Sequence, residues 1–408
     1  MQETNFRCYR CMNKLEQNLK FCPVCGNEII NQKFLSYSLP PGTILRERYL
    51  IGHVVNKDNK TLTYIGLDMN LESRVLIVEV YVKDILDRLD TRIMVKNREN
   101  EKIFEDIKTN FYMVHQNLTK LRVLPNILKI YSIFPQNNTI YVVKEISKGI
   151  TFNEYLSNNY GEISWDQSKK LFLDLIKLLK HIHSLKIIHQ DLTPNNLYFE
   201  NNSLKIIDFK NAKIENKFDL NFTLNEGYSA PEQYDNKGIG TYSDVYSLAA
   251  IMYKSLTGTK PVNSRSRLSN DNLLPPNILN PNIPKNVSFA ITSALVLAPK
   301  LRTQTMKDFY EDLIAPPRET SKIHMLVKKE TPKTKKMKKK KIEKEVIEKE
   351  IEKTAVIKEN EELKSLEGEK KETKTKKIIF LSFLISCSVV SFFLVIAIFL
   401  LFGDNFFE

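Results

Sequence analysis

The chain has 408 residues, room for two or three domains, and a hydrophobic content of 42% that excludes a wholly disordered protein. Its formal charge of +13 is uneven: residues 319–377 hold 20 Lys against 13 Glu, more than half of the surplus. The rest is only mildly basic. The charge run itself reads as a solvated linker, with acidic lipid head groups as the main alternative.

The chain opens on polar residues, without the apolar run of a signal peptide. Four of its five cysteines follow as Cys8-x-x-Cys11 and Cys22-x-x-Cys25, with ten residues between the pairs. A Cys-x-x-Cys turn presents two thiolates to one ion, and two such turns close a tetrahedral zinc site. Pro23 and Gly26 suit the sharp turn of the second knuckle. Disulfides are the alternative, and the cytosolic orientation argued below opposes them. A closed four-cysteine site leaves no open position, so Cys8, Cys11, Cys22 and Cys25 are expected to hold a structural Zn²⁺ and to perform no catalysis. Residues 1–31 thus read as a zinc ribbon, a module that binds partners or nucleic acid.

Residues 42–314 have a different texture. Strand-like runs, β-branched and aromatic, cover 49–55, 61–68 and 75–82. A charged, periodic stretch over 97–121 reads as a helix. Runs at 128–134 and 139–146 flank Gln136-Asn137-Asn138 as a hairpin. From Trp165 onward Leu171, Leu175, Ile176, Leu178, Leu179 and Ile182 share one helical face. A small strand-rich lobe therefore precedes a larger helical one.

Motifs in this stretch bear a family resemblance. His189-Gln190-Asp191-Leu192-Thr193-Pro194-Asn195-Asn196 resembles the catalytic loop of protein kinases, and Asp208-Phe209-Lys210 resembles Asp-Phe-Gly. Ser229-Ala230-Pro231-Glu232 resembles Ala-Pro-Glu, Asp244 the aspartate that anchors the catalytic loop, and Arg302 the arginine that pairs with the glutamate of Ala-Pro-Glu. The wording around Gly42 and Gln233 is similar to bacterial membrane serine/threonine kinases, some of which carry an N-terminal zinc ribbon. The resemblance covers about two-thirds of the chain plus the ribbon. It implies an α+β, bilobal protein-kinase fold, with Asp191 as catalytic base and Asn196 and Asp208 as ligands of Mg-ATP.

The pattern breaks where the phosphates belong. The loop Asn56-Lys57-Asp58-Asn59-Lys60-Thr61-Leu62 has no glycine to let backbone N–H groups close over them, and Asp58 adds a negative charge. The third strand reads Val75-Leu76-Ile77-Val78, so Val78 stands where the resemblance implies the phosphate-holding lysine. Its partner glutamate falls on Val114 or, with a slip of one, on Met113 or His115. Leu76 and Tyr198 add bulk above and below the adenine slot, and Lys144 stands at the gatekeeper position. The expectation is a small lobe with no cation left to grip a triphosphate. Asp191, Asn196 and Asp208 then persist as structural remnants, and Mg-ATP is not retained. Gln190 replaces the arginine that would greet an activation-loop phosphate on Thr223, and Lys210 replaces the glycine hinge.

Past the charge run (315–377), residues 378–402 form 25 consecutive uncharged residues rich in Leu, Ile, Val and Phe. At about 1.5 Å per residue this run spans a hydrocarbon core of about 30 Å. Cys387 within it reads as a small apolar residue. Lys374, Lys376 and Lys377 precede the run, so the N-terminal bulk is expected in the cytoplasm and the tail 403–408 opposite. The leading reading is a single-pass membrane pseudokinase, a scaffold or regulator for a cytosolic protein partner. The alternative is an active serine/threonine kinase with a relocated lysine, Lys57 or Lys60. A nucleic-acid module is the weakest reading. Loosely heptad-spaced Ile342, Val346, Ile347, Ile351, Val356 and Leu363 leave dimerisation through the linker open.

Overall fold

A computed structural model describes residues 6–16, 19–29, 34–215 and 224–316. The linker, the apolar run at 378–402, the tail and Thr223 lie outside the described residues, and among those described no helix is long and apolar enough to cross a membrane.

The small lobe is an antiparallel sheet of β1 (Ile44–Leu45), β2 (Tyr49–Lys57), β3 (Thr61–Asp68), β4 (Ser73–Val80), β7 (Ile130–Gln136) and β8 (Thr139–Lys144), in the order β1-β2-β3-β4-β8-β7. Between β4 and β7 come the short hairpin β5 (Leu86–Leu89) and β6 (Arg92–Val95), then the helix α1 (Glu99–Leu118). A 3₁₀ turn at Thr119–Leu121 ends the helix earlier than its periodicity suggests. Strand ends also shift: β4 begins and ends two residues before the run at 75–82, and β7 starts two residues late. Asn137 and Asn138, with φ of 52° and 64°, turn the chain between β7 and β8, since asparagine tolerates the left-handed region a two-residue hairpin demands.

β4 is buried on both faces, which leaves Glu79 inside the lobe. A buried carboxylate must be fully hydrogen-bonded. Glu79 accepts from Tyr64 Oη at 2.6 Å, Tyr141 Oη at 2.7 Å and Arg88 Nη2 at 2.6 Å. The β5–β6 hairpin exists to bring Arg88 there. Its four-residue strands carry too little alternation to be read from sequence.

The large lobe runs through β9 (Ile150–Thr151), α2 (Phe152–Asn158), α3 (Trp165–Ser184), β10 (Ile187–Ile188), β11 (Leu197–Glu200), β12 (Ser203–Ile206), β13 (Lys213–Ile214), α4 (Pro231–Tyr234), α5 (Thr241–Thr257), α6 (Ser264–Arg267), α7 (Pro276–Leu279), α8 (Lys285–Ala294) and α9 (Met306–Ile314). Thr151/Glu154 and Ser164/Gln167 form capping boxes that start α2 and α3. The apolar face of α3 packs with α5, which is buried along nearly its whole length, and this is the centre of the larger core.

The cysteine segment folds as two matching knuckles. Met12 N donates to Cys8 O at 2.7 Å and Gly26 N to Cys22 O at 2.8 Å. The residue after each second cysteine, Met12 (φ 61°) or Gly26 (φ 69°), is left-handed. Glycine takes that conformation freely, whereas methionine does so at a cost. Met12 has a second role that offsets the cost: its side chain packs with Ile65 and Leu67 of β3. His53 N donates to Tyr9 O at 2.8 Å, and Arg7 pairs with Glu72. At Gly52 a Cβ would lie 2.2 Å from Tyr9 O and 2.3 Å from Met12 Cε, so only glycine admits this docking. The knuckles are thus built onto the back of β2 and β3, which the sequence did not foretell.

Candidate functional site

The four cysteine Sγ atoms all lie within 4.8 Å of one another. Cys8 faces Cys25 and Cys11 faces Cys22 at 3.6 Å, across the knuckles, and no disulfide joins them. Asn13 Nδ2 donates to Cys11 Sγ at 3.3 Å, the kind of outer contact that steadies a metal-bound thiolate. Four thiols converging on one point form a donor set that fits a tetrahedral ion.

The second candidate lies between the lobes. Its frame is tightly pinned. Asp244 accepts from His189 N (2.8 Å) and Gln190 N (2.9 Å), both buried, and from the partly buried His183 Nε2 (2.8 Å), which fixes the loop bearing Asp191. His183, His189 and the backbone outweigh the effect of burial and hold Asp244 below its ordinary value. Arg302 meets Glu232 at 2.6 and 3.0 Å, as the motif implies. Phe209 is buried in the large-lobe core, its ring 5.0 Å from that of His189.

Within that frame the charged groups are already partnered. The two oxygens of Asp191 accept amide protons from Asn211 Nδ2 at 2.8 Å and Asn225 Nδ2 at 2.7 Å. Burial pushes this carboxyl up from its ordinary value. Asn196 Nδ2 donates to Asp191 O at 2.8 Å. The β2–β3 turn closes on Asp58, which accepts from Lys60 N (2.8 Å), Thr61 N (3.0 Å) and Thr61 Oγ1 (2.7 Å). This is an Asx-type turn, self-sufficient where a glycine-rich loop would need a ligand.

Lys144 and Lys210 converge on Asp208. Lys144 Nζ donates to Ile207 O at 3.0 Å and lies 4.0 Å from Asp208 Oδ1. Lys210 Nζ lies 3.2 Å from Asp208 Oδ2 and 3.6 Å from Asp58 Oδ2. Burial would raise the Asp208 carboxyl, but Lys144 and Lys210 outweigh it and hold it below its ordinary value. Burial pushes Lys144 down, with Asp208 opposing. Lys144, at the end of β8, sends its ammonium into the cleft, a placement beside Asp208 that its gatekeeper position did not announce. Sequence position alone does not say where a long, flexible stem puts its head.

Val78 and Val114 are buried where a lysine–glutamate pair is implied. Next to Val114, His115 is buried against Phe111, with ring centroids 4.1 Å apart and Nδ1 2.8 Å from Phe111 O. Burial, reinforced by Lys144, pushes it down to about 4, so it is neutral near pH 7. Leu76 and Tyr198 are each half-buried, on β4 and β11. Of the lysines considered for relocation, Lys57 is exposed and Lys60 is buried. The roles of Asn211 and Asn225 went unread because an asparagine in a loop looks like any turn residue.

The protein kinase domain family model matches residues 79–327. Curated relatives include "Probable serine/threonine-protein kinase 2" of Plasmodium falciparum, 26% identical over 265 residues, covering 64% of this chain and 45% of that protein. A probable serine/threonine-protein kinase of Clostridium acetobutylicum is 24% identical over 284 residues (67% and 40%), and serine/threonine-protein kinase PrkC of Bacillus subtilis 26% identical over 200 residues (46% and 31%). The chain spans less than half the length of each. Among solved structures, the apo form of PpkA-294 superposes with a TM-score of 0.57 at 23% identity, covering 68% of this chain and 100% of that one. That likeness concerns the fold, and it coincides with the two lobes just described. With more than half of its length matched by the family model, the chain belongs to the protein kinase domain family.

Proposed function

We propose that this chain is a pseudokinase: a kinase-shaped binding platform that does not transfer phosphate. One observation carries the reading. Asp208, the carboxylate that would bind Mg²⁺, already faces two ammonium groups, while both oxygens of Asp191 are held by amides. A metal would have to displace both cations, and a substrate hydroxyl would have to share an Asp191 oxygen with an amide already bound to it. The loss of lysine and glutamate at Val78 and Val114 supports the same conclusion.

The cysteine cluster holds one structural Zn²⁺ in this reading, and the run at 378–402 anchors the chain with its bulk in the cytoplasm, where it meets a protein partner. A metal assay giving one zinc per chain tests the first. Retention in membranes after an alkaline carbonate wash tests the second; release would remove the anchor.

Mg-ATP is expected to leave the melting temperature unchanged. A ligand at 100 times its Kd stabilises by about 2.7 kcal/mol, so a rise of about 5–10 °C would sink the reading. The place of Lys144, 4.0 Å from Asp208, favours one second reading, an active kinase whose phosphate-holding lysine has moved to β8. ATP-dependent phosphate transfer to protein that Lys144→Met abolishes would establish it.

A further inference from the structure

Asp58 belongs to the β2–β3 turn and Lys144 to β8, both in the small lobe. Asp208 and Lys210 follow β12 in the large lobe. The contacts Asp58–Lys210 (3.6 Å), Lys210–Asp208 (3.2 Å) and Asp208–Lys144 (4.0 Å) therefore cross the cleft twice. All four side chains are less than one-fifth exposed, so water and salt screen them less than a surface pair. Two positive and two negative groups leave the chain of contacts neutral, with no charge waiting for a ligand.

We propose that this ion-pair chain is a clasp that holds the lobes closed in place of a metal–nucleotide complex. In an active phosphotransferase, metal and phosphates bridge the glycine-rich loop and the aspartate of the large lobe. Here Asp58 and Lys210 make that bridge directly. A neutral tie runs beside it: Asn110 on α1 donates to Ala212 O at 3.0 Å and accepts from Ile214 N at 3.1 Å. A closed, kinase-shaped surface is then displayed permanently, whatever the nucleotide level. The inference rests on reading the cleft as non-catalytic.

Hydrogen exchange on the full chain without nucleotide tests it. Lys210→Met is expected to speed exchange about tenfold in both 57–62 and 207–211, because breaking the pair frees both banks of the cleft. Asp58→Asn keeps the turn's acceptor but removes its charge, and should do the same. The double variant should be no faster than either single one, the non-additivity expected of partners. Unchanged protection in α5 certifies that each variant is folded. Faster exchange confined to 207–211 in Lys210→Met, with 57–62 at the wild-type rate, would overturn the clasp. That outcome, with melting still indifferent to Mg-ATP, removes the clasp and leaves the pseudokinase reading standing. A nucleotide-dependent shift with the exchange coupling intact does the reverse.

Discussion

Arg302→Ala is expected to cost about 3–5 kcal/mol, the range for breaking a buried ion pair from one side. Every N–H of the Arg302 guanidinium has a partner: Nε donates to Val296 O (2.8 Å), Nη1 to Glu232 Oε1 (2.6 Å) and Tyr242 O (3.1 Å), Nη2 to Glu232 Oε2 (3.0 Å) and Leu297 O (3.0 Å). Truncation takes a donor from three carbonyls and leaves Glu232, which is buried, with only the Ser243 hydroxyl at 2.7 Å. An uncompensated carboxylate is the larger part of that cost. Thermal melting should fall by about 10 °C. Arg302→Lys should recover little, because a single ammonium cannot reproduce the fork. Arg302→Met with Glu232→Met should recover more, because no charge is then left buried. A melting temperature within about 2 °C of wild type for Arg302→Ala would show that the large lobe does not depend on this pair.

The same pair shows what a sequence can yield. Arg302 and Glu232 are seventy residues apart, yet the motif order placed them together, as it placed Asp244 beneath the catalytic loop. Such ties are legible because they serve the shape of the loop, and the chain keeps its shape while changing its cleft. Regular elements with strong periodicity were equally legible: β3 is the run 61–68 unaltered, and α3 carries the expected apolar face. What escaped are contacts made by side-chain heads far from their backbones. Lys144 was read only as a departure at the gatekeeper position, but its four-carbon stem carries the charge to Asp208. Arg88 sits in a hairpin too short to show alternation. Tyr9 and Met12 bear no motif of their own, yet they attach the knuckles to Gly52 and Ile65. The Lys/Glu-rich linker and the apolar run lie outside the described residues, and their readings stand on composition alone.

The cleft also leaves a signature in pH. His115 binds its proton only near pH 4 in the folded chain, against about 6.5 when unfolded. Below pH 6.5 the unfolded state therefore holds a proton that the folded state refuses, so stability falls as the solution is acidified through this window. A difference of roughly 2.5 pH units corresponds to ~3 kcal/mol lost between pH 7 and pH 4. Asp208 and Asp244 are depressed, not raised, so their contributions fade only below the ordinary carboxylate range. His53 is lowered by its own burial and acts in the same sense as His115. The comparison must therefore be with His115→Leu, which keeps an apolar side chain against Phe111 and removes this titration alone. Denaturant unfolding should find wild type and variant within about 1 kcal/mol of each other at pH 7 and the variant ahead by roughly 3 kcal/mol near pH 4. Parallel stability curves would mean that His115 takes up its proton without penalty. Burial would then not be what keeps the imidazole neutral.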